Sequence, residues 1–210
     1  MVVRTDPGLT VMHVIKITGR ASPDGLSERS GISVEQVETL LTDLARTGLV
    51  EYHKGNLPGW SLTSAGRQAR DDGLASERAV GGNRQYVERA YAGFLTRNDA
   101  FKALCTAWQL RPVDPQVLDK HRDRSYDASL IEQLAEIHET VMAITTDLAR
   151  VIERFSAYGP RFAKALARLR AGDLGAFTRP LSGSYHDVWM ELHQDLLDTL
   201  GRSRSAADGQ

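Results

Sequence analysis

Three histidines stand where imidazoles could meet. His186 and His193 are seven residues apart in YHDVWMELHQDLLDTL, and a helical projection puts both inside the apolar arc beside Trp189 and Leu197. His138 falls on the shoulder of another apolar face. Imidazoles directed into one helical bundle could hold a divalent metal, with an Asp or Glu as fourth ligand. No helix carries two histidines at i, i+4, so packing or subunit-interface histidines are the simpler reading, and no cofactor is expected. With His138, His186 and His193, the side chains of Tyr91, Asn98, Trp108 and Trp189 could line a small-molecule effector pocket between helices. Such residues are also what any bundle core contains. Asn98 has two readings of its own: a buried amide that fixes register, or a cap where Thr96-Arg97-Asn98-Asp99 breaks one helix into two. Asp187 and Glu191, at i, i+4, read as solvated surface. No Gly-rich phosphate loop, nucleophile elbow, HExxH helix or paired cysteines are present, which argues against an enzyme.

The elements that would place side chains for recognition lie in the first third of the chain. Ser33 is a good N-cap and Gln36 completes a capping-box pattern, so a helix starts near Val34. Val37, Leu40, Leu41 and Leu44 then share one face, and Glu35, Thr39, Thr42 and Arg46 the other. Gly48 closes the helix. Leu49, Val50 and Tyr52 suit a strand, His53–Gly59 a hairpin loop, and Trp60-Ser61-Leu62 the return. Upstream, LTVMHVIKIT reads as a first helix and Pro23 to Arg29 as a supporting one, with Leu26 as its inward anchor. His13, on the first helix, has no second ligand nearby in sequence and reads as structural.

The segments LARTGLVEYHK and GWSLTSAGR resemble the helix end, wing and "LT..G" exit of MarR-like and PadR-like bacterial transcriptional regulators. The resemblance covers about the first third of the chain. It implies a winged helix-turn-helix in which Gln36, Thr39, Asp43 and Arg46 of the recognition helix face the major groove, with its cap Ser33 also among the DNA-binding residues. Arg29 and the wing residues His53, Lys54 and Asn56 would contact backbone or minor groove. The implied protein is a dimeric regulator of double-stranded DNA, and winged helices also serve as protein-docking modules. Only about eight residues precede the unit, so two-fold contacts would come mainly from C-terminal helices, as in PadR-like regulators.

Composition sets the limits on this reading. At 210 residues, 41% hydrophobic and 25% charged, the chain fits an ordinary soluble globular protein. No run is long enough to cross a bilayer and no signal segment opens the sequence, so a cytoplasmic location with no membrane partner is expected. A single cysteine, Cys105, agrees with a reducing compartment. Residues 1–75 carry eight Lys or Arg against nine Asp or Glu, an unusual balance for a unit that binds phosphates.

The expected organisation is mainly α: a winged helix-turn-helix with a two-stranded wing over 1–75, an all-α helical bundle for dimerisation or effector binding over 84–201, and a disordered tail over 202–210. Gly73, Gly81-Gly82 and Asn83 mark the hinge. Val87, Tyr91, Phe94, Asn98, Phe101, Cys105 and Trp108 hold four-three spacing, which Pro112 and Pro115 end. From Leu130 the same spacing runs to Phe155 and predicts one long helix closed at Gly159-Pro160, with Asp127 as its cap. The last helix, Tyr185–Leu200, sets Val188, Trp189, Leu192 and Leu196 against a polar face of Asp187, Glu191, Gln194, Asp195 and Asp198.

Overall fold

Asp6 accepts the Leu9 N–H at 2.9 Å and Pro7 takes the first helical position, where its missing N–H costs nothing, so α1 runs Pro7–Thr18. The structure, a computed structural model, describes residues 2–80, 82–111, 114–118 and 120–203. Ser22 caps α2 (Pro23–Ser30), and Gly31, at φ +73°, ends it. α3 (Val34–Arg46) has the bounds its cap and period predict. Ser33 Oγ accepts the Gln36 N–H at 3.3 Å, but the return bond is not made by Gln36. The Glu35 carboxylate instead turns back on its own N–H and the Ser33 hydroxyl, which lowers its pKa.

β1 (Val50–His53) pairs antiparallel with β2 (Gly59–Leu62), Val50 opposite Leu62. Ala21 exchanges two backbone hydrogen bonds with Trp60 and adds a one-residue third strand on the free edge of β2. Val11, Ile15, Leu26, Val37, Leu41, Val50 and Leu62 close a first core over these elements.

α4 (Ser64–Val80) runs past residue 75, where the first unit was expected to end, and Gly82-Asn83 lie in the turn that follows it. Gly73 is therefore no hinge. It is a close-approach point, since a Cβ there would come within 2.8 Å of the Leu9 side chain. The second core is built on α5 (Arg84–Gln109) and α6 (Arg124–Ala149). α5 is continuous through Asn98, so that residue caps nothing; it is buried and accepts the Trp189 indole N–H at 3.1 Å. Two short strands, β3 (Leu110–Arg111) and β4 (Asp114–Leu118), follow α5 where an all-helical bundle was expected. Pro112 lies outside the described residues.

Asp123, rather than Asp127, caps α6 by accepting from Ser125 and Tyr126 N–H. α6 also ends early. Val3, expected in a loose lead-in, pairs with Ile152: its N–H donates to Val151 O at 2.9 Å and its carbonyl accepts from Glu153 N–H at 3.0 Å. Those bonds draw the backbone out of the helical path although Leu148, Ile152 and Phe155 keep their buried places. A 3₁₀ turn at Glu153–Ala157 leads into α7 (Tyr158–Arg170), whose first turn contains Gly159 and Pro160. α8 (Gly175–Thr178) and α9 (Tyr185–Leu200) complete the chain, with a reciprocal Ser184/Asp187 capping box on α9.

Residues 204–210 of the expected disordered tail lie outside the described residues. Arg202, assigned to that tail, is anchored: its guanidinium is 3.3 Å from Glu88 and lies over the Tyr91 ring. No helix among the described residues is long and apolar enough to cross a membrane. Cys105 is buried in the second core and burial pushes its thiol up to about 12. At pH 8 a disulfide reagent is accordingly expected to leave the native thiol unmodified and to react quickly once urea unfolds the chain; fast reaction of the native protein would contradict this packing.

Candidate nucleic-acid interface

The outer side of α3 is open. Its buried side, Val37, Leu41 and Leu44, packs on α1 and α2, leaving Glu35, Gln36, Glu38, Thr39, Thr42, Asp43 and Arg46 exposed. Gln36, Thr39, Asp43 and Arg46 fall on one line at helical spacing. Thr39 and Thr42 donate their hydroxyls back to the carbonyls of Glu35 and Glu38, so each presents a methyl group and the hydroxyl's lone pairs outward. Asp43 and Arg46 meet at 3.3 Å, both largely exposed, a pair that solvent screens. Three carboxylates against one guanidinium make this face acidic.

The β1–β2 hairpin carries the second group. Lys54 and Asn56 are exposed in its loop, which Arg20 braces by donating to Leu57 O at 2.7 Å. His53 is half-buried, with Nε2 2.7 Å from the Ser61 hydroxyl and 3.4 Å from Glu51. The structure thus places His53 as a brace of the hairpin, with Lys54 as the cation at the loop.

Arg29 is placed differently. Its Nε donates to Glu191 at 3.0 Å and its side chain is only 17% exposed, so the carboxylate of α9 holds it away from any phosphate. Arg161 holds the same carboxylate from α7, and Lys164 reaches Glu28 at 2.6 Å. Glu191, read as solvated surface, is thus a partly buried anchor between α2, α7 and α9, while Asp187 is spent on the α9 cap.

Asp195, on the same side of α9, is fully buried. Asp195 Oδ1 lies 2.9 Å from His13 Nε2, 3.3 Å from Arg154 Nε and 3.0 Å from the Thr199 hydroxyl, and the Tyr158 hydroxyl donates to Oδ2 at 3.1 Å. Arg154 also donates to Glu77 at 2.6 Å, to Thr5 and to Thr199. Arg70 donates to His13 Nδ1 at 2.8 and 3.2 Å and reaches Asp71 and Asp198. Because Nδ1 accepts from an arginine, the ring proton of His13 is assigned to Nε2, which lies close to Asp195 but is not aligned for a hydrogen bond. Burial works to raise the Asp195 pKa, but the adjacent His13 ring, the Arg154 guanidinium and the Thr199 hydroxyl outweigh it and hold the carboxyl below the usual range. Burial and the neighbouring carboxylates raise the Tyr158 phenol. This network joins α1 and α4 to the second core, and the apolar/polar period of α9 gave no sign of it. A weak signal was present in the i, i+4 pair Asp195/Thr199, whose hydroxyl and carboxylate bond each other.

The residues proposed for an effector pocket pack into an aromatic core. Trp189 stacks on Phe101 at 4.1 Å and on Phe94 at 4.4 Å, and His193 packs against Phe94 at 5.2 Å and Tyr91 at 6.0 Å. Trp108 lies against Phe177 and His121. The three candidate metal histidines do not converge: His138 Nδ1 meets the Tyr185 hydroxyl at 3.2 Å, His186 lies by Phe101, and His193 is buried beside α5. Burial lowers the pKa of both His138 and His186. Among the described residues no group of three or more His, Cys, Asp or Glu side chains is gathered to hold a metal.

Comparison with protein-family models, with curated proteins and with solved structures finds no match to this chain.

Proposed function

We propose that residues 1–75 form a winged helix-turn-helix and that the protein is a DNA-binding transcriptional regulator of double-stranded DNA. It acts as a homodimer through the C-terminal helices, which also serve any effector. The observation that supports this reading best is the bare outer side of α3 beside an exposed hairpin carrying Lys54. Gln36 and Arg46 are the side chains suited to base edges, the amide pairing with adenine and the guanidinium with guanine. On a two-fold dimer the two helices would read half-sites about one turn apart, ~34 Å.

An electrophoretic mobility shift with the promoter region of the protein's own gene tests the proposal. Lys54→Ala is expected to weaken every sequence about equally and to lower the salt slope by about 1. Gln36→Ala is expected to relax preference at one base pair by about 1–3 kcal/mol, with little change in that slope. An unchanged slope for Lys54→Ala would remove it from the interface.

The acidic outer side of α3 favours a second reading, an adaptor that docks a basic protein surface on the same helix. A shallow apolar concavity among Pro7, Ile32 and Leu40, next to Glu35, suits such a contact. Retention of the partner together with no shift of any duplex would select this reading.

A further inference from the structure

A surface groove runs between α5 and α6 on the side of the second core away from α9. Its floor is apolar and shallow, with Ala90, Gly93, Ile144 and Val151 between the two helices. The groove extends along α5 from Tyr86 to Arg97, eleven residue steps or about 16 Å at the helical rise. That is the length of three turns of a third helix.

The rim is cationic. Arg89, Arg97 and Arg150 border the groove against a single carboxylate, Asp147, which Arg150 already meets at 3.1 Å. Arg97 is exposed and makes no ion pair among the described residues. Tyr86 is 45% exposed at one end, with the Arg89 guanidinium 4.7 Å over its ring. An exposed aromatic backed by arginine beside an apolar floor is the composition that concentrates binding energy at interfaces.

We propose that this groove docks an acidic amphipathic helix of a partner protein. The charge decides between occupants. A second copy meeting this face across a two-fold axis would set the same arginine rim against itself, whereas a helix with a leucine stripe and glutamates on its flanks fills the floor and neutralises the rim. A nucleic-acid backbone would satisfy the arginines but leave the floor of Ala90, Gly93 and Ile144 uncovered. This surface is separate from α3, so its occupancy and the reading of α3 as a DNA helix can fail independently.

The test is fluorescence anisotropy with the full chain and a labelled helical peptide of about 14 residues, leucines at four-three spacing and glutamates elsewhere. The controls are the same peptide with lysine for glutamate, and one with the leucines scrambled. The acidic peptide is expected to bind about tenfold or more tightly than either control. Arg97→Glu combined with Arg150→Glu, both at exposed positions, is expected to reverse the preference toward the lysine peptide while leaving the circular dichroism and sedimentation unchanged. Equal binding of the acidic and scrambled peptides, or an unaltered preference in the double variant, overturns the proposal. So does a change of oligomeric state in that variant, which would assign the groove to a second copy, or full competition by a random duplex oligonucleotide, which would assign it to nucleic acid.

Discussion

Asp195→Asn is expected to destabilise the chain by about 3–5 kcal/mol, the loss typical of a buried ion network deprived of one member. The carboxylate serves four partners, His13, Arg154, Thr199 and Tyr158, and is 2% exposed. An amide keeps the volume but brings two N–H donors among groups that are themselves donors. Arg154 would stay buried with Glu77 as its one remaining anion. Urea unfolding measures the effect, and a loss below about 1 kcal/mol would mean that apolar packing, not this network, holds the two cores together. The pH dependence follows from the sign of the shift. Asp195 has its pKa lowered in the native state, so its contribution is complete above the ordinary carboxylate range and is lost as pH falls from about 4 through the native value. The native protein should therefore weaken steeply in acid, and the asparagine variant, already weaker at neutral pH, should show a shallower decline.

Gly66→Ala is the second large effect. A Cβ at this position would lie 1.9 Å from the Leu49 carbonyl oxygen and 2.9 Å from its carbon. No side-chain rotation relieves that contact because the obstacle is backbone. The same carbonyl accepts the Thr63 N–H at 3.1 Å, and the Thr63 hydroxyl lies 3.3 Å from it, so moving it breaks the junction between β1 and α4. A loss above about 3 kcal/mol is expected, at the upper end of what overpacking produces, read as the fall in melting temperature by circular dichroism. A melting temperature within a few degrees of the parent, about 3 °C, would show that the junction can open without cost. The glycine of the "LT..G" pattern thus has a physical reason in this chain: it lets the start of α4 pass against the end of the turn after α3.

What the sequence disclosed was local. Ser33, the apolar period of Val37, Leu41 and Leu44, and the residues around Gly48 specify α3 without reference to anything distant, and the helix has those bounds. The β1–β2 pairing is equally local, since a loop of turn formers joins the strands. The break after Ala149 could not be read because its cause is Val3, at the other end of the chain. Beyond that break burial passes from the period position Val151 to its neighbour Ile152, and Phe155 is buried again. The polar side of α9 was misjudged for a related reason. A row of Glu191, Asp195 and Asp198 has the pattern of a solvated face, and only the arrival of Arg29, Arg70, Arg154 and Arg161 from four other segments makes it an interior. Within the candidate interface, Gln36, Thr39, Asp43, Arg46, Lys54 and Asn56 are exposed as their positions implied, and Arg29 is diverted by Glu191.

The acidic row of α9 also bears on how the chain can be divided. Cutting the chain after α4 would strand His13, Arg70 and Glu77 in water on one fragment and leave Asp195 and Arg154 uncovered on the other. Neither piece could be grafted onto a foreign neighbour without also importing matching charges. Each half therefore depends on charges that the other supplies, and a fragment ending at α4 would expose an underside built for Asp195 and Asp198.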